Sequence, residues 1–175
     1  MDDKEGEWSE TVMLQTKESL GIDSQSVASC GTLMAKEKLI LFDKAGTATT
    51  TYGYSFGVHF WKIIVSLEEG LNLHNQDLSG IMVVGVNYKK FNSTKTIGSV
   101  LNYTLTGKPI EIRILLDINK HTMIVFSPSK PEGENFAELP KDGTFFPIIQ
   151  NKTTSSKINA TNKLKVKYNF DLEVP

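Results

Sequence analysis

Three histidines, one cysteine and a scattering of acids are the side chains with which this sequence could do chemistry. His59, His74 and His121 show no HxH or HxxxH spacing, and the lone thiol of Cys30 completes no zinc-ligand set. His59 lies inside an aromatic, β-branched run, where an imidazole bonded to backbone in or beside the core is expected. His74 falls in a polar stretch and His121 opens a strand, so both read as surface residues. A nucleophilic Cys30 would need a base held against it, and the default for a single thiol is a small buried side chain. Paired carboxylates of the glycosidase kind would need two acids on one cleft. Glu111 instead alternates with apolar residues on an outward strand face, and Asp117 sits in a turn, where its own backbone hydrogen bonding accounts for it. Glu68 and Glu69 could hold calcium only with loop carbonyls, a weak pattern. No G-x-S-x-G elbow, phosphate-binding loop or dinucleotide glycine pattern occurs. The expectation is a protein without catalysis, cofactor or metal.

Bulk properties narrow the class of partner. With 175 residues, 39% of them hydrophobic and 22% charged, the chain is long enough for one domain with its own core. A net charge of −1 supplies no overall field for nucleic acid or an anionic membrane, so no nucleic acid is expected as a ligand. Lys163, Lys165 and Lys167 alternate with Leu164 and Val166, the pattern of a strand's solvated face. No apolar run approaches the ~20 residues that cross a bilayer, and no membrane insertion is expected. The polar start MDDKEGEWSE is unlike a signal peptide, and one cysteine forbids an intrachain disulfide. Together these features predict a cytoplasmic, reducing setting and make the N-x-T sequons at Asn92, Asn102, Asn151 and Asn159 accidental.

The elements that must carry any site read as strands. Residues 1–26 form a polar N-terminal extension in which Trp8, Val12, Met13 and Leu14 could make a short helix or strand; residues 27–175 form the domain. Short β-type runs at 32–34 and 38–42 precede a Thr-rich loop at 43–51. Residues 52–67 are dense in aromatic and β-branched side chains, with Gly53 and Gly57 as bends. Their alternation sets Val58, Phe60, Lys62 and Ile64 on one face and His59, Trp61, Ile63 and Val65 on the other. A polar loop follows at 68–79, then a buried strand at 80–86, a basic Asn-rich loop at 87–95 and a weaker strand at 96–105. The strongest signal is IEIRILL at 110–116, which a tight turn at 117–120 joins to HTMIVF at 121–126. A loop at 127–135 leads to a short run at 136–139 and a turn at 140–143. The last strands are 144–149 and 164–170, around a polar loop at 150–162. About a dozen strands and no helical run of ten residues predict an all-β fold, a sandwich or barrel.

In order and spacing these strands resemble the SPRY domain. The motif residues are Gly57-Val58-His59-Phe60-Trp61, then Val84-Gly85-Val86, then Leu115-Leu116-Asp117 turning through Thr122 to Phe126. Phe146-Pro147-Ile148-Ile149 and a closing Lys165-Val166-Lys167-Tyr168-Asn169-Phe170 follow. Three features depart from that family: residues 128–134 are inserted ahead of Ala137–Gly143, the first 40 residues lack a PRY-type extension, and the stretch after Val86 is basic. The resemblance implies a bent β-sandwich of two antiparallel sheets that recognises a partner protein or peptide through loops at one end, as a ubiquitin-ligase substrate receptor or a scaffold domain does. It places the ligand surface in the segments 44–50, 98–101 and 150–153.

The expected partner-binding residues there are Lys44, Thr47, Thr49, Ser99, Val100, Lys152 and Thr153, a mildly basic, hydrogen-bonding set suited to an acidic or Asn-rich extended peptide. His59 and Trp61 are assigned to the core, and the isolated domain is expected to be a monomer. The alternative is a lectin-like carbohydrate-binding domain, with Tyr52 and Tyr54 beside residues 72–75 as its aromatic platform.

Overall fold

The computed structural model describes residues 20–67, 76–77, 82–101, 104–105, 108–152 and 164–175. A one-turn helix α1 (Ser24–Val27) leads into β1 (Gly31–Met34), a 3-10 turn (Ala35–Glu37), β2 (Leu39–Phe42), β3 (Gly46–Thr49) and β4 (Val58–Leu67). Then come β5 (Gln76–Asp77), β6 (Met82–Lys90), β7 (Ser93–Leu101), β8 (Thr104–Leu105) and β9 (Ile110–Asp117). β10 (Thr122–Ser127), β11 (Lys130–Phe136), β12 (Thr144–Asn151) and β13 (Leu164–Asn169) complete the described strands.

Alternation decides what these strands bury. In β9, Ile112, Ile114 and Leu116 are fully buried while Glu111 and Arg113 stay outside, where Glu111 pairs with Lys62 at 3.5 Å and Arg113 at 3.4 Å. β13 buries Leu164, Val166 and Tyr168 and leaves Lys167 in solvent, as its lysine alternation predicts. β4 turns Trp61, Ile63 and Val65 to the core. These strands lie in a seven-stranded sheet of order β1-β2-β13-β4-β9-β10-β11, and the second sheet is β3-β12-β6-β7. All pairings are antiparallel, and the second sheet brings Met82, Val84, Val86, Phe145 and Ile149 to the same core. At about 1.5–3 kcal/mol for each fully buried aliphatic or aromatic side chain, this shared core is the main stabilising term. The expected all-β sandwich is what forms.

Three segments expected as loops are largely strands. Residues 43–51 contain β3, residues 127–135 contain most of β11, and residues 87–95 are the end of β6 and the start of β7, joined through Phe91 and Asn92. β3, β7 and β11 are all sheet edges. An edge strand needs only one side of hydrogen bonds and tolerates Thr, Lys, Gly and Pro. Its sequence therefore resembles a loop's.

At the N-terminal side Ile22 is 7% exposed and joins the core, with backbone bonds between Asp23 and Thr49 and between Thr51 and Gly21. Trp8, Val12, Met13 and Leu14 lie outside the described residues. Asp171 ties this region to the C-terminal end, accepting from Leu20 N at 3.2 Å and from the Tyr54 hydroxyl at 2.6 Å. Burial first, and then the Asp171 hydrogen bond and charge, push the Tyr54 phenol well above the ordinary tyrosine value. In the unfolded chain a tyrosine ionises from about pH 10, whereas folded Tyr54 keeps its proton. Stability from this group is therefore complete below pH ~10 and is lost as pH rises above it. Urea midpoints taken from pH 8 to 11.5 should fall more steeply for wild type than for Tyr54→Phe; parallel curves would count against this account.

Candidate binding surface

The four-stranded sheet has an inner face in the core and an outer face that carries most of the expected site. Register sets two rows across it. One runs Thr47, Gln150, Val83, Val100, and the other Thr49, Ile148, Gly85, Gly98. With strands about 4.8 Å apart, a row spans about 14 Å from the β3 edge to the β7 edge. Thr47 and Thr49 are half-buried, Val100 is 50% exposed, and Ile148 and Val83 between them are buried, at 1% and 5% exposure. Gly85 and Gly98 leave the middle of the sheet without side chains.

Lys44 and Lys152 both lie in the chain at one end of these rows. Lys44 sits in the turn between β2 and β3, which is pinned because the N–H groups of Asp43 and Lys44 both donate to Cys30 O at 3.0 and 3.1 Å. Lys152 follows the last residue of β12, Asn151, whose buried amide donates to Lys44 O at 2.9 Å. Asn151 thus joins positions 107 residues apart and ties the backbone of exposed Lys44 to the end of β12, where exposed Lys152 follows. Thr153 lies outside the described residues.

Ser99 does not join them. It is 5% exposed on the inner face, because adjacent strand residues point to opposite sides and Val100 takes the outer one. Its hydroxyl acts instead on Glu134 of β11, whose carboxyl is held below the ordinary range first by Lys130, 2.8 Å away, and then by Ser99. By the parity of β6 and β12, Gln150, Val83 and Ile148 share the Thr47 face, but Val83 and Ile148 are buried and only Gln150 is partly open there.

The groups weighed for chemistry are engaged structurally. His59 is half-buried, its Nε2 2.7 Å from Phe56 O and its ring stacked on Tyr54 at 3.6 Å between centroids. Trp61, its motif partner, is fully buried. Cys30 is buried, and burial, then the Asp43 charge, push its thiol up, which removes nucleophilic thiolate. Asp117 accepts from Lys120 N at 2.9 Å within its turn. His121 is half-buried at the mouth of β10, against the surface position expected of it. Among the described residues no three His, Cys, Asp or Glu side chains converge as a metal site; His74, Glu68 and Glu69 lie outside them. Of the two tyrosines weighed for a lectin-like site, Tyr54 is committed to Asp171 and His59 and Tyr52 is 73% exposed, while residues 72–75 lie outside the described residues.

Solved SPRY domains superpose on this chain over most of its length. The SPRY domain of human HERC1 superposes with a TM-score of 0.56 at 14% identity, over 89% of this chain and all of that one. This chain has the SPRY fold. The TRIM65 PSpry domain gives a TM-score of 0.51 at 11% identity, over 87% of this chain and 92% of its own. Stonustoxin gives 0.50 at 15% identity, with 86% of this chain matching 27% of the toxin chain. No protein-family model and no curated protein matches the sequence. Two of the SPRY-like motif segments have plain physical roles here. Trp61 fills the core, and Gly85 stands opposite Gly98 where the strands approach closely. Among the described residues of this SPRY fold, no helix is long and apolar enough to cross a membrane.

Proposed function

We propose that this SPRY-fold domain is a non-catalytic protein-interaction module that binds an extended acidic or Asn-rich segment of a partner. The surface runs over Lys44, Thr47, Thr49, Val100 and Lys152, with Thr153 beside them in sequence. The observation that supports the reading is the Asn151 link, which ties the Lys44 turn to the end of β12 before Lys152, beside a sheet row that carries Thr47 and ends at half-exposed Val100. Charge-assisted bonds from the lysines would fix the acidic side chains, and the threonine hydroxyls and Gln150 amide would orient the backbone. In a parent protein this surface serves substrate recognition for a ubiquitin ligase or a scaffold in the cytoplasm, and the domain acts as a monomer.

The test compares pulldowns with the wild-type domain and a Lys44→Glu, Thr47→Ala, Lys152→Glu variant, read by mass spectrometry. Exposed substitutions of this kind move stability by about 0.5 kcal/mol or less each, so the melting temperature should hold. At least one protein should fall tenfold or more in the variant, and its acidic segment, made as a peptide, should bind wild type alone. Equal recovery of every protein by both forms would sink the assignment, and selective capture of glycans on an array would replace it with the lectin-like reading.

A further inference from the structure

Far from the Lys44–Lys152 end, the same sheet ends in a different surface. β6 and β7 are joined by a two-residue turn, since Lys90 pairs with Ser93, and Phe91 forms its tip at 95% exposure. Beside it, Thr144 pairs with Lys89, and the segment before β4 runs along the start of β12. There Tyr54 bridges to Phe145, and Ser55 Oγ lies 3.2 Å from Thr144 Oγ1. That segment carries Tyr52 at 73% and Phe56 at 80% exposure. The three most exposed large apolar side chains among the described residues therefore sit on two segments that converge at one end of the sandwich.

The backbone at the tip is as informative as the exposure. Phe91 has φ 55, a left-handed conformation that hairpin turns usually fill with Asn or Gly. A bulky aromatic side chain there is unfavourable for the turn and for solubility, and among the described residues it stays 95% exposed, with the Lys90 ammonium 5.9 Å from its ring centre. Such a residue is explained by something outside the fold that takes up the ring. The surrounding charge says what. Lys89 and Lys90 line a cavity of about 420 Å³ with Phe91, Ser55, Asp142, Gly143 and Thr144, and Lys95 follows on the opposite strand of the hairpin. Asp142 is the one acid in that lining. A chain of net charge −1 thus concentrates cations around a projecting ring.

We infer that this end docks on an anionic membrane surface. Phe91, Phe56 and Tyr52 enter the headgroup layer, and Lys89, Lys90 and Lys95 attract its phosphates and carboxylates. Aromatic side chains settle at the level of the headgroups, and lysines add attraction to anionic lipid that fades within a Debye length. A contact of this kind lies on the bilayer and crosses nothing, so it needs no apolar helix. An acidic protein segment is the competing occupant. A ring exposed at the apex of a hairpin, outside any cleft, fits a broad soft surface better than a peptide.

Co-sedimentation of the full chain with vesicles tests this. Vesicles of 70% phosphatidylcholine and 30% phosphatidylserine should retain the protein at 50 mM salt and release most of it at 500 mM, and pure phosphatidylcholine should retain little. Lys89→Glu with Lys90→Glu should weaken retention tenfold or more, and Phe91→Asn several-fold. Phe91→Asn should melt no lower than wild type, because asparagine suits the left-handed tip; loss of binding with an unchanged or higher melting temperature excludes misfolding. Lys44→Glu with Lys152→Glu should leave vesicle binding unchanged, which separates this surface from the proposed protein-binding one. Absence of binding to the anionic vesicles at 50 mM salt would overturn the inference. So would binding indifferent to the hairpin substitutions, or capture by immobilised polyglutamate, abolished by Lys89→Glu with Lys90→Glu, without vesicle binding.

Discussion

Replacing Trp61 with alanine is expected to destabilise the domain by about 3–5 kcal/mol, a large share of the ~5–15 kcal/mol that holds such a domain folded. For a chain of this size that corresponds to a fall of roughly 6–20 °C in melting temperature. Trp61 is fully buried on β4, the middle strand of the seven-stranded sheet, and its ring lies 6.2 Å from those of Tyr54 and Phe170. Truncation would open a cavity where segments from both ends of the domain meet, and strands hydrogen-bonded on both sides cannot close it. Trp61→Phe should cost much less. It keeps most of the ring and removes an indole N–H that is buried without an acceptor among the described residues. A thermal melt of the two variants decides the matter: equal losses would mean that the indole N–H, not the ring's volume, is what the site requires.

Gly85→Ala is expected to cost about 3 kcal/mol although it adds a single methyl group. Gly85 lies on β6 at φ 156, opposite Gly98 on β7. A Cβ built on it would overlap the carbonyl oxygen of Ile97 and stand 2.6 Å from Gly98 Cα. These obstacles are backbone atoms, which move only if the β6–β7 ladder opens, so the strain cannot be relieved by a rotamer change. A Cβ on Gly98 would in turn stand 2.7 Å from Val84 O, so the two glycines form one close approach. Melting curves of Gly85→Ala and Gly98→Ala should both be displaced downward by several degrees. An unchanged midpoint for Gly85→Ala would show that the strands separate there at little cost.

Both effects concern positions that composition and alternation already marked. Trp61 and Gly85 fall in runs where apolar residues repeat too densely for a surface strand, and β9 read as a strand because Ile112, Ile114 and Leu116 alternate with Glu111 and Arg113. Interior strands declare themselves because they bury side chains. The edges were different. β3, with its threonines, β11, with Pro131 and Gly133, and the basic start of β7 bury little and could be told from loops only by the partners they pair with. The expected site had the same division. Thr47 and Thr49 share a face by parity, and parity also forbids Ser99 and Val100 from facing one partner. That inference was available from alternation once β7 was known to be a strand. The link from the Lys44 turn to the end of β12 was not available, since it depends on β3 pairing with β12 and on Asn151 reaching across to that turn.

Local chemistry along the chain was therefore sufficient for the fold class, the core face of β9 and β13, and the structural roles of His59 and Trp61. Periodicity and residue type act over a few neighbours and survive whatever the distant chain does. Which strands stand at the edges, which residues share a row and which ends of the sandwich carry the lysine pair or the exposed aromatic rings were decided by tertiary structure alone. Register and strand order are set by pairing between segments far apart in sequence, and a shift of one residue in that pairing would turn every one of these side chains to the other face.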